Sequence, residues 1–399
     1  MVAQLRLKPG HVQPVWAGHP WIYAQAVEGI TGDPSAGDEV DVFDPRGQHL
    51  GRGLFSPKSA IAVRLFTRHQ EALDAGLLTR RVEAASRLRG QLGFPSDQTN
   101  AYRLIHAEGD QLPGLIVDRF GDALVLQFGT RGMHRLRDAI CRVLREVTGC
   151  SVLIDRTSPR TAASEGFEVG EALIHGQAEG LRFRERGFDF EVPVELSQKT
   201  GYYLDQRPLR DVIERLAASR ARSGGAGRVL DGYCFVGSSS LAAARGGAGS
   251  IHAVDSSALA LEVGARLAAT NGVSGIEFER GDMRRYLEHV APESFELVIC
   301  DPPKLAPNRS AKHRALDAMR KLAQGASKAC VDGGIVVLCS CSAAIGLFEL
   351  RRAMALGARD AGRRATVLER VFQGGDHPVP AAFPEGQYLT NLVVQVSSL

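Results

Sequence analysis

The sequence of 399 residues has no apolar run approaching the ~20 residues needed to cross a bilayer; its longest stretches resemble residues 335–338. Its first ten residues, Met1-Val2-Ala3-Gln4-Leu5-Arg6-Leu7-Lys8-Pro9-Gly10, lack the apolar core of a secretory signal. A cytoplasmic protein without a membrane partner is expected. The seven cysteines, at 141, 150, 234, 300, 330, 339 and 341, include no C-x-x-C pair. That pattern argues against a structural zinc site, and the odd, scattered set argues against a disulfide framework. Lysine is scarce, with 7 against 41 arginines, and the net charge is only +3. Arginine's planar fork suits phosphate, but a GC-rich coding genome produces the same bias. Charge alone therefore selects no partner.

What is present is the composition of ordinary folded domains, 44% hydrophobic and 23% charged, at a length that predicts two or three of them. Residues 1–70 read as a small β-rich domain. Residues 39–43 alternate, Asp44-Pro45-Arg46-Gly47 supplies turn chemistry, and residues 49–55 return as a second strand. Residues 59–66 add another, with Ile61, Val63 and Leu65 on one face. Residues 71–190 read as a middle α/β domain. There, residues 77–92 carry helical spacing, with Arg80, Arg81, Arg87 and Arg89 on the polar side. Leu112-Pro113-Gly114 turns into a strand, and residues 123–128 pair with it as a hairpin. Residues 133–147 read as one helix bearing Arg135, Arg137, Arg142 and Arg145, which fit a solvated face or an RNA groove.

From 191 to 399 the texture changes to alternating strand and helix, which predicts a mostly parallel, doubly wound sheet. Strands are expected at 228–231, 250–254, 276–279, 296–300 and 334–340, with helices from 241, over 259–270 and over 315–330. In such a sheet, ligands bind beyond the carboxyl ends of the strands, where strand order reverses. Four of these ends carry aspartate. Asp231 leads into Gly232-Tyr233-Cys234-Phe235-Val236-Gly237-Ser238, whose small residues let backbone approach a ligand. Asp255 is placed to accept both ribose hydroxyls, Asp282 to meet an adenine amine, and Asp301 to lie beside a transferable methyl group. The first turn does not fit G-x-G-x-x-G, and no Walker lysine follows, which disfavours a dinucleotide or ATP. The set implies S-adenosylmethionine as cofactor.

The chain resembles the PUA-domain-containing class I methyltransferases of the RlmI type, which methylate carbon-5 of a cytosine in 23S ribosomal RNA. The strongest match is Gln198-Lys199-Thr200-Gly201-Tyr202-Tyr203-Leu204-Asp205-Gln206-Arg207, close to the family's K-T-G-x-Y-L-D-Q-R. Others are Ala107-Glu108-Gly109-Asp110-Gln111-Leu112-Pro113-Gly114-Leu115, Val254-Asp255-Ser256-Ser257, Asp301-Pro302-Pro303-Lys304, Ser340-Cys341-Ser342 and Asp376-His377-Pro378-Val379. The likeness runs in order over nearly the whole chain. It implies an α/β protein with an N-terminal β-rich PUA domain (1–70), a middle α/β domain (71–190) and a C-terminal Rossmann-like class I methyltransferase (191–399). It also implies that Thr200, Tyr203, Asp205, Gln206 and Arg207 belong to the cofactor site with Asp231, Gly237, Asp255, Asp282 and Asp301. Two departures stand out: the family's T-G-G turn is Val236-Gly237-Ser238, and its Y-L-K is Tyr388-Leu389-Thr390.

Carbon-5 of cytosine is a poor nucleophile until a thiolate adds to carbon-6, so the chemistry needs an activated cysteine near the methyl donor. The resemblance implies Cys341 as that nucleophile, with Asp301 orienting the base. Cys339 and Cys300 are expected in the core, and Lys304 either meets phosphate or is solvated. Methylation of a purine amine is the rival reaction, although Lys304 stands where those enzymes carry a stacking aromatic. A non-catalytic, RNA-binding assembly factor is the rival outside enzymes. The partner implied is 23S rRNA or a large-subunit assembly intermediate, and family likeness alone suggests a homodimer.

Overall fold

The computed structural model describes residues 2–170, 172–177, 179–196, 200–222, 224, 227–305 and 312–399. Chain contacts divide into two compact units. The first comprises Met1–Leu204 with Gly375–Gly386, and the second Asp205–Gly374 with Gln387–Leu399.

The first unit opens with β1 (Ala3–Leu7), α1 (Val12–Trp16), β2 (Trp21–Tyr23), β3 (Val27–Thr31), β4 (Glu39–Phe43), β5 (His49–Phe55) and β6 (Ile61–Thr67). The strands form a six-stranded sheet in the order β2-β6-β5-β4-β1-β3. Leu5, Leu7, Val40, Val42, Val63 and Leu65 make its core. Sequence alternation assigns β6 one buried face, yet Ala62 and Phe66 are buried as well. The reason is that β6 lies between two cores, with Phe66 packing into the next one.

That second core lies beneath α2 (Ala75–Gln91), β7 (Ala101–His106), β8 (Leu115–Phe120), β9 (Ala123–Phe128), α3 (Arg131–Arg135), α4 (Arg137–Thr148), β10 (Val152–Asp155), α5 (Pro159–Glu165) and β11 (Leu173–His175). The sheet order is β11-β10-β9-β8-β7, with β8 and β9 forming the expected hairpin. Residues 133–147 are not one helix, because the chain breaks at Leu136, which closes α3 and opens α4. A further hairpin, β12 (Gly180–Glu185) and β13 (Phe188–Pro193), stacks Phe183 on Phe190 at 5.0 Å, and Tyr202 donates to Glu185 at 2.7 Å.

Arg89 corrects the sequence reading. It is not on the polar side of α2 but fully buried, held by both carboxylate oxygens of Asp110 at 2.5 and 2.7 Å and by the carbonyls of Arg103 and Asp376. A guanidinium with no water around it persists only where its donors are met this completely. Asp376 also accepts from the Arg103 amide at 3.0 Å and bonds the His377 ring, so residues 375–386 complete this cluster.

The second unit contains α6 (Arg207–Arg222), β14 (Arg228–Gly232), α7 (Ser238–Arg245), β15 (Ser250–Asp255), α8 (Ala258–Thr270), β16 (Ile276–Arg280), α9 (Met283–His289) and β17 (Phe295–Cys300). It continues through α10 (Lys312–Ala329), β18 (Cys330–Ser340), α11 (Leu347–Asp360), β19 (Arg363–Val371) and β20 (Thr390–Ser398). The seven-stranded sheet runs β16-β15-β14-β17-β18-β20-β19, and β20 alone runs against the other six strands. Leu230, Val298 and Val336 point into one core with α10 and α11, while Val229, Ile299 and Val337 point into the opposite one with α6. Burial on both faces is why these strands read as continuous apolar runs. Strand order reverses at β14, which pairs with β15 on one side and β17 on the other.

Candidate active site

At the carboxyl end of β14 the chain makes a tight turn. Tyr233, Phe235 and Gly237 all have positive φ, at 63°, 52° and 74°. Left-handed non-glycine residues cost energy and persist where surrounding bonds fix them. Here the Tyr233 and Cys234 amides donate to the Val254 carbonyl, and the Phe235 amide donates to the Asp255 carboxylate at 2.9 Å. Gly237 is demanded twice over, because a Cβ there would also lie 2.9 Å from the Phe278 ring. The second oxygen of Asp255 accepts from the Ser257 amide at 2.9 Å, so this carboxylate is fixed in place at the end of β15. Asp282 caps α9 through the Arg284 and Arg285 amides and remains substantially exposed.

Three other carboxylates lie deeper. Asp231 is buried and accepts from the Ser240 hydroxyl at 2.6 Å, which ties β14 to α7. Burial, opposed by the Ser240 bonds, pushes its pKa up to about 6. Asp301 follows β17 and accepts from Gln206 at 2.9 Å. Desolvation, then repulsion from Asp205 and Asp231, raises its pKa to about 7. Asp205 accepts from the Tyr388 hydroxyl at 2.8 Å, and Gln206 exchanges hydrogen bonds with Asn391. The register of β20 sets Asn391 opposite Cys339 and Thr390 opposite Ser340.

Cys341 follows Ser340 directly at the carboxyl end of β18. Of the seven cysteines it is the only one not buried. Cys300 and Cys339 are fully buried in the core, as expected, and burial pushes both thiols upward, Cys300 to about 12. Asp301 and Cys341 thus leave adjacent parallel strands at the same edge.

Residues 5–68 match a PUA-like domain model and residues 224–362 a methyltransferase domain model. Ribosomal RNA large subunit methyltransferase I of Shewanella denitrificans is 35% identical over 405 residues, covering 99% of this chain and all of the relative. The Alteromonas mediterranea protein of the same name is 34% identical, with both chains covered completely. The chain belongs to the ribosomal RNA large subunit methyltransferase I family. Among solved structures, a SAM-dependent methyltransferase of Streptococcus mutans superposes with TM-score 0.82 at 18% identity, covering 99% of this chain and 100% of that one. A methyltransferase named SMU.776, complexed with SAH, does so at 0.84 and 19%, with the same coverage.

As in its family, this chain's methyltransferase depends on S-adenosylmethionine, and the residues fit that group. Burial shifts both Asp301 and Asp231 upward, and repulsion adds to it, from Asp205 and Asp231 on Asp301 and from Asp255 on Asp231. A ligand bearing a sulfonium and an ammonium relieves that repulsion. Of the residues expected at the site, the second unit brings together Asp205, Gln206, Arg207, Asp231, Gly237, Asp255, Asp301 and Cys341, with Asp282 at the rim. Thr200 and Tyr203 fall in the first unit, before the boundary at Leu204. Sequence reasoning missed Ser240 and Asn391, and it named Tyr388 within a motif without finding its partner Asp205. Ser240 sits in a visible serine run, whereas Asn391 carries no signal, because only the register of β20 brings it to Gln206. Among the described residues no helix is long and apolar enough to cross a membrane, and no cluster suits a metal ion.

Proposed function

We propose that this enzyme methylates carbon-5 of a cytosine in 23S ribosomal RNA through a transient covalent adduct with Cys341. The observation that carries this reading is the position of Cys341, half-buried where six other cysteines are buried, just past the strand that pairs with the one leading to Asp301. Bound S-adenosylmethionine supplies an electrophilic methyl group. The second unit supplies the rest. The Cys341 thiolate adds to carbon-6 of the flipped base, which moves electron density to carbon-5 and makes it nucleophilic. Once carbon-5 is methylated, a base takes its proton, and the electrons of that C–H bond expel the thiolate.

Asp301, with a pKa near neutrality, holds or releases a proton as the base binds and orients the ring through its nitrogen or amine. Asp231, Asp255, Asp282 and Gly237 line the cofactor side together with Asp205, Gln206 and Arg207. The PUA-like and middle segments, 1–70 and 71–190, supply contacts to the RNA, in its naked form or in an assembling large subunit.

The test is methyl transfer from labelled S-adenosylmethionine to unmodified 23S rRNA, with the product nucleoside identified. Wild type should yield 5-methylcytidine, and Cys341→Ala should yield none while still binding cofactor. Label in another nucleoside, or label that survives loss of Cys341, refutes the carbon-5 assignment.

A further inference from the structure

The second unit carries 24 Lys and Arg against 18 Asp and Glu. This excess is not spread evenly. Helices α10 and α11 together hold eight of the cations and three of the acids, so the remainder of the unit is close to neutral.

The two helices run side by side in the same direction. Gly357 of α11 lets them meet, since a Cβ there would lie 2.5 Å from the Arg320 carbonyl and 2.6 Å from the Ala323 methyl. Ion pairs tie both ends of α11 to α10, Lys312–Glu349 at 2.6 Å and Arg320–Asp360 at 2.5 Å. Those bridges consume two of the three acids. Arg314, Lys321 and Lys328 remain exposed on α10, and Arg351, Arg352 and Arg359 on α11, with Asp317 as the one acid left in these helices.

Helical periodicity sorts these cations into two stripes. Residues 314, 321 and 328 recur every seven positions on one face of α10, over about 21 Å. On α11, Phe348, Arg351, Arg352 and Arg359 share one face, over about 16 Å. Phe348 is 74% exposed, an unusual position for an aromatic ring in a folded chain. It occupies the first turn of α11, which follows the Cys341 segment directly. The Ser340 hydroxyl donates to the Ile345 carbonyl and the Ile345 amide to the Ser342 carbonyl, so the segment between nucleophile and helix is closed on itself.

We infer that the α10–α11 face is an RNA-docking surface of the methyltransferase unit, with its arginines and lysines on substrate phosphates and Phe348 stacked on a nucleotide beside the target base. Cations along two parallel helices match the spaced negative charge of a nucleic-acid strand, and an exposed ring at the catalytic end matches a splayed base. This surface rests on the rRNA reading above and adds a second point of grip to the one expected of the PUA-like and middle segments.

The test uses the full chain and unmodified 23S rRNA, with KM, kcat and the salt dependence of binding measured together. Arg351→Glu/Arg352→Glu should raise KM for RNA at least tenfold and reduce the slope of log affinity against log salt by roughly 1–2. The control, Arg364→Glu/Arg370→Glu, makes the same charge change on exposed positions of β19 and should shift neither beyond twofold. Phe348→Ala should raise KM for RNA with an unchanged salt slope. S-adenosylmethionine affinity should be unaltered in all three, which reports intact folding. If the wild type methylates rRNA and the α11 variants match the control, the docking surface is refuted and the rRNA reading stands. If the wild type neither binds nor methylates rRNA, both fall. An effect seen on ribosomal particles but absent on naked rRNA assigns the surface to a protein and overturns RNA as its occupant.

Discussion

The proposed place of Asp301 beside the cofactor predicts a calculable pH dependence of binding. Its carboxyl titrates at about 7 because desolvation and the neighbouring Asp205 and Asp231 disfavour the charged form. A cationic methyl donor favours that form, so binding below neutrality must first expel a proton. At pH 8 about nine-tenths of Asp301 is ionised and at pH 6 about one-tenth, a roughly tenfold difference in competent protein, or ~1.4 kcal/mol. Calorimetric titration with S-adenosylmethionine from pH 6 to 8 should show affinity rising about tenfold. S-adenosylhomocysteine, which lacks the sulfonium charge, should show less. Asp301→Asn should flatten the profile. The stability of the free protein runs the opposite way. A carboxylate whose pKa is raised by folding favours the fold at low pH, and this contribution is lost as pH rises from the unfolded value through 7. Asp301→Asn should therefore raise the melting temperature of the cofactor-free enzyme above pH 7 and change it little below pH 4. A pH dependence that persists in Asp301→Asn refutes the assignment and transfers it to another group, with Asp231, at about 6, first in line.

Two further substitutions probe the framework. Asp110→Ala strands the buried Arg89 guanidinium and should cost ~3–5 kcal/mol in urea denaturation; a loss below ~1 kcal/mol would show that the Arg103 and Asp376 carbonyls suffice. Gly237→Ala forces a side chain into left-handed backbone and against Phe278, with an expected loss of about 2–3 kcal/mol and weaker cofactor binding. A melting curve superimposable on wild type would contradict that packing.

The sequence made the parallel sheet and its acidic strand ends legible because both are local properties. An apolar run that stops at aspartate and turns through small residues shows in a few residues, as at Asp231, Asp255 and Asp301. Cys341 was singled out by its motif, and the structure adds the accessibility that no motif contains. Long-range partnerships stayed hidden. Arg89 looks like the other arginines of α2, and only the arrival of Asp110 and Asp376 makes it a core residue. Asn391 and Tyr388 reach Gln206 and Asp205 across more than 180 residues. The break at Leu136 was invisible because the apolar spacing of α4 continues through it.

The cluster around Arg89 also bears on how the chain is made. One of its acceptors, the carbonyl of Asp376, lies 287 residues further along the chain. At about 5–20 residues per second, synthesis reaches it roughly 15 s to a minute after Arg89. Throughout that interval the Arg89 guanidinium lacks one of its acceptors, so this unit reaches its final hydrogen bonding only when translation is nearly over. A chain that stops short of residue 375 leaves its first unit incomplete as well as its second.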